Sequence, residues 1–484
     1  MQAFWYGLSS LSTMGLSLIS AALLSRYFDK IEYGTYRQVV YVYTTLLVIF
    51  SAGFPKVYAY YLPRYSLAQG KSISWKITGL LFVSGVFFSV ILFVFSDLFA
   101  TILRNDELAR GLRAFSPVPL LLMPTLGLEG IYTTYRKTQY LVVYNTLTRL
   151  VTLSCIIVPV IVFKGTYLHA IYGWIAASVL QLFAALYMKD LPFKGISQEK
   201  ALLGLKEIFA YSFPIAKASL WGILILSASQ FFISRYFGTE EFAVFSNGFI
   251  EIPFVRMITG SAAAVLMPVF SKMVHNKSST EEFVSLWRSV LVKSATLIYP
   301  MAVFGIVNAK YIIVSLYSQK YVDSTIYFQL ITLTSFFSVI IVAPIVFAMG
   351  KTKIYSRVHF ILGIITWTLG YAVVIIFKSP VAFAILVVVL TILKLIVLIA
   401  FVARSFNVGF LSLFPVKKFG VLLLHSSVLL LLINIPLNHF LGHLNSIALL
   451  AINSLTFPLF LLSTGSFLNL GYLEVLRSFR KSRK

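Results

Sequence analysis

The sequence predicts an all-α polytopic membrane protein of about fourteen transmembrane helices, as two pseudo-symmetric six-helix lobes plus two C-terminal helices. Three observations predict it: an apolar composition, apolar windows of membrane-crossing length, and a motif that occurs twice. Of 484 residues, 59% are hydrophobic and 12% charged, against about 45–50% and about 25% in soluble chains. A water-soluble enzyme so composed would have no polar shell, and that class is excluded. The single cysteine, Cys155, builds neither a disulfide framework nor a thiolate metal site.

A membrane-crossing helix needs roughly 20 apolar residues. Such windows run near 4–24, 38–62, 77–95, 114–135, 141–163, 170–188 and 212–234, then 243–268, 289–308, 328–349, 359–377, 381–403, 419–435 and 446–469. Period-two alternation is absent, which argues against a barrel. The first window has no basic segment before it and no small-residue cleavage site after it, so it reads as a retained helix. The windows divide the chain into an N-lobe at 1–188, a linker at 189–211, a C-lobe at 212–403, and a final pair of helices with a basic tail at 404–484. In the linker, EKALLGLKEIFAY places Leu202, Leu205 and Phe209 at helical spacing. It reads either as an amphipathic helix on the inner membrane surface or as a plain connection. The tail LRSFRKSRK reads as a solvated end resting on anionic lipid.

Charge sets the orientation. Of 40 Lys and Arg, 23 fall in one set of loops and 11 in the other. The positive-inside rule puts the richer set, and with it both termini, in the cytoplasm of a cell (inner) membrane. That assignment accounts for most of the +24 net charge without nucleic acid as a partner. Six cations remain inside spans: Lys56, Arg149, Lys217, Arg256, Lys293 and Lys394. Only Glu129 and Glu251 accompany them, so the interior carries a formal +4. Buried membrane charge is costly and marks a polar cavity or pathway.

The two halves share a motif. SRYFDKIEYGTY (25–36) follows the first window and SRYFGTEEFAVF (234–245) the seventh, an offset of 209 residues. Weaker echoes pair LPRYS (62–66) with MPVFS (267–271), and Lys137-Thr138 with Lys351-Thr352. Six windows separate the copies, so both halves enter the membrane with one orientation. A parallel repeat with a site between two bundles is a common transporter plan.

The segment LLSRYFDKIEYGTY resembles the hallmark of polysaccharide-biosynthesis (oligosaccharide) flippases of the multidrug/oligosaccharidyl-lipid/polysaccharide (MOP) exporter superfamily. There an Arg-aromatic pair, an acidic residue and Tyr-Gly follow the first helix. AMGKTKIYSR (348–357) is similar to their Gly-Lys-x-Lys turn after the tenth helix. The resemblance covers roughly residues 1–403. It implies two facing lobes working by alternating access, with the first two helices of each lining a central cavity. The implied cargo is a polyprenyl-pyrophosphate-linked oligosaccharide, moved from inner to outer leaflet for surface polysaccharide, with polymerase or export machinery as partners.

A pyrophosphate entering the membrane needs fixed cations to replace its water. By the resemblance, Lys56 and Arg256 are the leading phosphate contacts. Arg149 and Lys394 lie deep but outside the lining helices, and serve cargo, lobe packing or a lipid groove. Lys217 and Lys293 sit near helix ends and snorkel. Arg26 and Arg235 hold equivalent repeat positions, with a helix-end cap as the competing role. Glu129 and Glu251 are the candidates for proton or sodium coupling, and Asn247 shares a helical face with Glu251; a structural ion pair is the alternative for either acid. Glu251 and Arg256, five apart, point about 140° away from each other on an ideal helix, so they are expected to act separately.

The membrane potential is worth about 2.3 kcal/mol per charge per 100 mV, enough to bias export of a dianion without a nucleotide or other cofactor. Gly350-Lys351-Thr352 lacks the first glycine of a phosphate loop. The tyrosines at 41, 43, 58, 60 and 61 read as an interfacial belt or as a platform for sugars. Pro55, Pro124, Pro253, Pro300 and Pro344 are candidate hinges.

Three rivals stand beside the flippase. A flippase for the peptidoglycan precursor (lipid II) wants the same cations. A drug/cation antiporter of the same superfamily favours an acidic cavity. A membrane glycosyltransferase needs a large outer loop and acidic motif that this chain lacks.

Overall fold

The computed structural model describes residues 2–276 and 278–481. The described residues form helices and connections without a strand. They divide into two compact units, Met1–Ala243 and Val244–Lys484. The first unit holds α1 (Gln2–Tyr27), α2 (Lys30–Ser51), α3 (Phe54–Tyr61), α4 (Leu67–Val94), α5 (Ser96–Leu103), α6 (Glu107–Phe115), α7 (Pro117–Leu122), α8 (Leu128–Thr134), α9 (Gln139–Val162), α10 (Tyr167–Asp190) and most of α11 (Leu205–Gly248). The second holds α12 (Pro253–His275), α13 (Thr280–Val307), α14 (Ala309–Tyr317), α15 (Ser324–Ser338), α16 (Ala343–Ala348), α17 (Thr352–Phe377), α18 (Pro380–Ser405), α19 (Val416–Leu441), α20 (Ser446–Phe467) and α21 (Tyr472–Lys481).

Among the described residues, 11 helices are long and apolar enough to cross a membrane, or 12 with one bent pair. The expected count of fourteen is not confirmed among the described residues. Window 328–349 comes apart into α15 and α16, because Val339-Ile340-Ile341-Val342 is all β-branched and Pro344 follows closely. Window 4–24 lies in α1, whose side chains at 2–14 fall outside the described residues. Large apolar side chains such as Phe87, Phe163, Ile376 and Phe467 point outward, a surface that suits lipid and not water.

Small residues let the helices approach. The α10 backbone at Gly173 lies against the Cys155 carbonyl of α9, and Gly85 of α4 lies against Pro119 and Leu120 of α7. In the second unit, Trp287, Phe270, Phe283 and Tyr299 form a core with Val339, Ile345, Leu430 and Phe457. α19 packs on α13 and α20 on α14. Asn453 of α20 donates to the Asn308 side chain at 3.2 Å in the interior. The last two long helices are therefore built into this unit.

The linker contains no separate amphipathic helix. Residues 194–204 are irregular, and 205–211 form the first turns of α11, where the Glu207 carboxylate accepts the Gly204 amide and so starts the helix. Proline sits at the breaks: Pro55, Pro253 and Pro344 open α3, α12 and α16, and Pro124 lies in a 3-10 turn. Pro300 alone of the candidate hinges lies inside a helix, α13.

Candidate functional site

The two motif copies turn the same corner. Asp29 caps α2 by accepting the Glu32 amide at 2.7 Å. The equivalent position 209 residues on is Gly238, which breaks α11 with φ +88°. Within the first unit the copies pack together. Lys30 pairs with Glu240 at 3.1 Å, Gln38 Nε2 donates to Ser234 Oγ at 2.7 Å, and Asn105 donates to Gln38 Oε1 and Thr35 Oγ1. A Cβ at Gly34 would overlap the Thr239 carbonyl oxygen. Arg235 donates to the Thr101 and Ile102 carbonyls at 2.7 and 2.9 Å. It caps the end of α5, while Arg26 is exposed; the two equivalent arginines differ in environment.

A second break carries Lys56. α2 and α3 form the bent pair, with 41° between them. Ala52 (φ +46°) and Gly53 (φ +72°) are both left-handed, and Gly53 takes that conformation without a Cβ penalty. Lys56 stands exposed on the first turn of α3. Glu129 is exposed on the first turn of α8. α3 and α8 meet where Tyr58 fills the space over Gly127 and Gly130, yet Lys56 and Glu129 form no ion pair among the described residues.

The charge inventory of the sequence missed Lys189, which it placed in a cytoplasmic loop. It lies at the end of α10 with 1% exposure. Its Nζ donates to Tyr58 Oη (3.0 Å), Thr78 Oγ1 (3.2 Å) and the Leu126 carbonyl (2.7 Å). Three ammonium protons thus meet three acceptors, one of them a carbonyl freed by the break before α8. No signal at position 189 distinguishes it from its loop neighbours.

In the second unit Glu251 and Arg256 are an ion pair, with Oε2 and Nη2 3.0 Å apart. The expected separation fails because they do not share a helix. α11 ends at Gly248 and α12 begins at Pro253, leaving Glu251 on the connection. Asn247 and Glu251 part for the same reason: Asn247 is buried at the end of α11 and Glu251 exposed beyond it. Lys394, half-buried on α18, lies within the field of Glu251 and in turn acts on His359 of α17. The structure therefore brings Glu251, Arg256 and Lys394 to one region.

Arg149 on α9 is elsewhere. It lines a cavity of about 160 Å³ in the first unit with Arg37 of α2, a residue the sequence reading left in an outer loop. The tyrosines at 41, 43 and 58 are buried in the protein, Tyr43 stacking on Phe88 at 5.7 Å, and serve neither a belt nor a sugar platform. Tyr60 stacks on Tyr211 at 3.9 Å with Arg64 over its ring. Gly350-Lys351-Thr352 is the turn into α17, with Gly350 at φ +70°.

Broken apolar helices and a duplicated corner define a polytopic membrane fold. Among solved structures the chain is similar to lipid II flippase MurJ in an inward closed conformation, with TM-score 0.72 and 15% identity over 96% of this chain and 99% of that one. An inward-facing multidrug resistance MATE family transporter follows with 0.63 and 14% over 83% and 98%. A MOP superfamily transporter from Pyrococcus furiosus gives 0.57 and 12% over 84% and 95%. No curated protein sequence matches the chain significantly. The model of the polysaccharide biosynthesis protein family matches residues 2–274, and the chain belongs to that family.

Proposed function

We propose that the protein flips a polyprenyl-pyrophosphate-linked oligosaccharide from the inner to the outer leaflet by alternating access, for surface polysaccharide. The site of action is the cell inner membrane, with both termini cytoplasmic and the lobes of residues 1–188 and 212–403 as the moving halves. No covalent bond is made or broken. The observation that carries this reading is the Glu251–Arg256 ion pair with Lys394 in the field of the same carboxylate, all within the second unit. Two cations to one acid leave a net positive region, and Arg256 is accessible, its side chain 70% exposed. A pyrophosphate there replaces lost hydration with charge-assisted hydrogen bonds. The Glu251–Arg256 pair holds Arg256 in place when the cargo is absent, and Glu251, with Glu129 and buried Asn247, stays the candidate for a coupling proton or sodium ion.

A lipid II cargo is the second reading, favoured by the MurJ-like fold. It carries the same pyrophosphate, so the cations do not separate the two. The test is the amount of lipid-linked oligosaccharide on the inner leaflet of cells lacking this protein. Build-up that wild type cures and Arg256→Ala does not is the expected result. Build-up of peptidoglycan precursor instead gives the second reading. Normal lipid-linked sugars with falling drug tolerance would overturn both in favour of an antiporter.

A further inference from the structure

The cavity of the first unit lies between α1, α2, α9 and α10 and is lined by Arg37, Arg149, Tyr33, Tyr36, Thr152 and Trp174. All four helices reach it within a few turns of the α1–α2 and α9–α10 connections. Among the described residues neither arginine has a carboxylate at ion-pair distance. Glu32, one turn before Arg37, is engaged elsewhere, accepting the Tyr167 amide at 2.7 Å. Arg37 is half-buried, and its Nε is buried without a hydrogen-bond partner. An orphaned guanidinium N–H inside a protein costs more than a satisfied one, and two unneutralised guanidiniums at membrane depth cost more again.

We infer that this cavity is a binding site for one phosphate group, held by Arg37 and Arg149 and distinct from the cargo residues Lys56, Arg256 and Lys394. The guanidinium fork matches phosphate geometry bidentately, which an ammonium does not. The Thr152 hydroxyl at the wall is spent on the Thr148 carbonyl and on Gln181, so the two guanidiniums carry the site. At about 160 Å³ the cavity holds well more than the about 10–15 Å³ that one water needs, which leaves room for a phosphate group. The phosphate comes from an anionic phospholipid headgroup or from free phosphate. The site stands independently of the cargo assignment, because it is read by binding alone.

The experiment uses full-length protein, delipidated in neutral detergent. Thermal melting is followed against sodium phosphate with sodium chloride at matched ionic strength, and against phosphatidylglycerol with phosphatidylcholine in mixed micelles. Wild type should be stabilised by phosphate over chloride or by phosphatidylglycerol over phosphatidylcholine, and whichever arm responds identifies the source. Arg149→Gln and Arg37→Gln should each weaken the apparent affinity at least about tenfold, and Lys417→Gln, at an exposed position on α19, should leave it unchanged. Where a glutamine variant does not fold, Arg149→Lys keeps the charge, loses the fork and should still bind weakly. No preference in wild type, or an undiminished one in the arginine variants, overturns the site.

Discussion

Lys189 is the residue on which the geometry of the first unit turns. Replacing it with methionine keeps most of the volume but strips donors from the Leu126 carbonyl and Thr78. An unsatisfied buried polar group costs about 1–3 kcal/mol, so Lys189→Met should lower the melting temperature in detergent well below that of Tyr58→Phe. Tyr58→Phe leaves the Leu126 and Thr78 contacts with Nζ in place. Tryptophan fluorescence melts check the order. At Glu251 and Arg256 the expectation is different. Both side chains are largely exposed, and exposed pairs contribute about 0.2–1 kcal/mol. Breaking this one should therefore barely change stability while altering transport, and Glu251→Gln should retain a normal melt with a changed rate of cargo export. The sequence made Arg256 and Glu251 visible because charge inside an apolar window is conspicuous. It hid Lys189 and Arg37 because each lies at a window's edge, where a loop cation looks the same.

Helices in this chain are defined as much by where they stop as by where they run. Windows 38–62 and 328–349 read as continuous from hydropathy, since a left-handed Ala52 and a β-branched run leave no mark on an average. Prolines did mark the breaks, opening α3, α12 and α16. The pairing of Glu251 with Arg256 follows from one such break, and ideal-helix angles fail there. Gly127 has φ +92° and faces the Tyr58 ring, so Gly127→Ala should both strain the backbone and displace the ring. A loss of monodisperse protein on size exclusion is expected, whereas Gly79→Ala, with open space around it, should be neutral or slightly stabilising.

At the scale of the molecule, composition and the repeat sufficed for the class, because long apolar segments have few ways to satisfy their backbone in lipid. The role of α19 and α20 was not legible, since a helix facing lipid and one facing protein are equally apolar. Their contacts decide it: Tyr299 against Phe419, Phe304 against Phe457, and Asn308 with Asn453. A chain ended after Ser405 should therefore aggregate on extraction, while removal of the basic residues after Arg477 should not; fluorescence-detected size exclusion separates these outcomes.

The partners of Lys189 also set an order of events during synthesis. Tyr58 precedes it by 131 residues, and membrane helices leave the ribosome from the N-terminus onward. At about 5–20 residues per second, the Tyr58 hydroxyl waits roughly 7–26 seconds for the ammonium that donates to it. The first unit acquires its interior only when the tenth helix arrives.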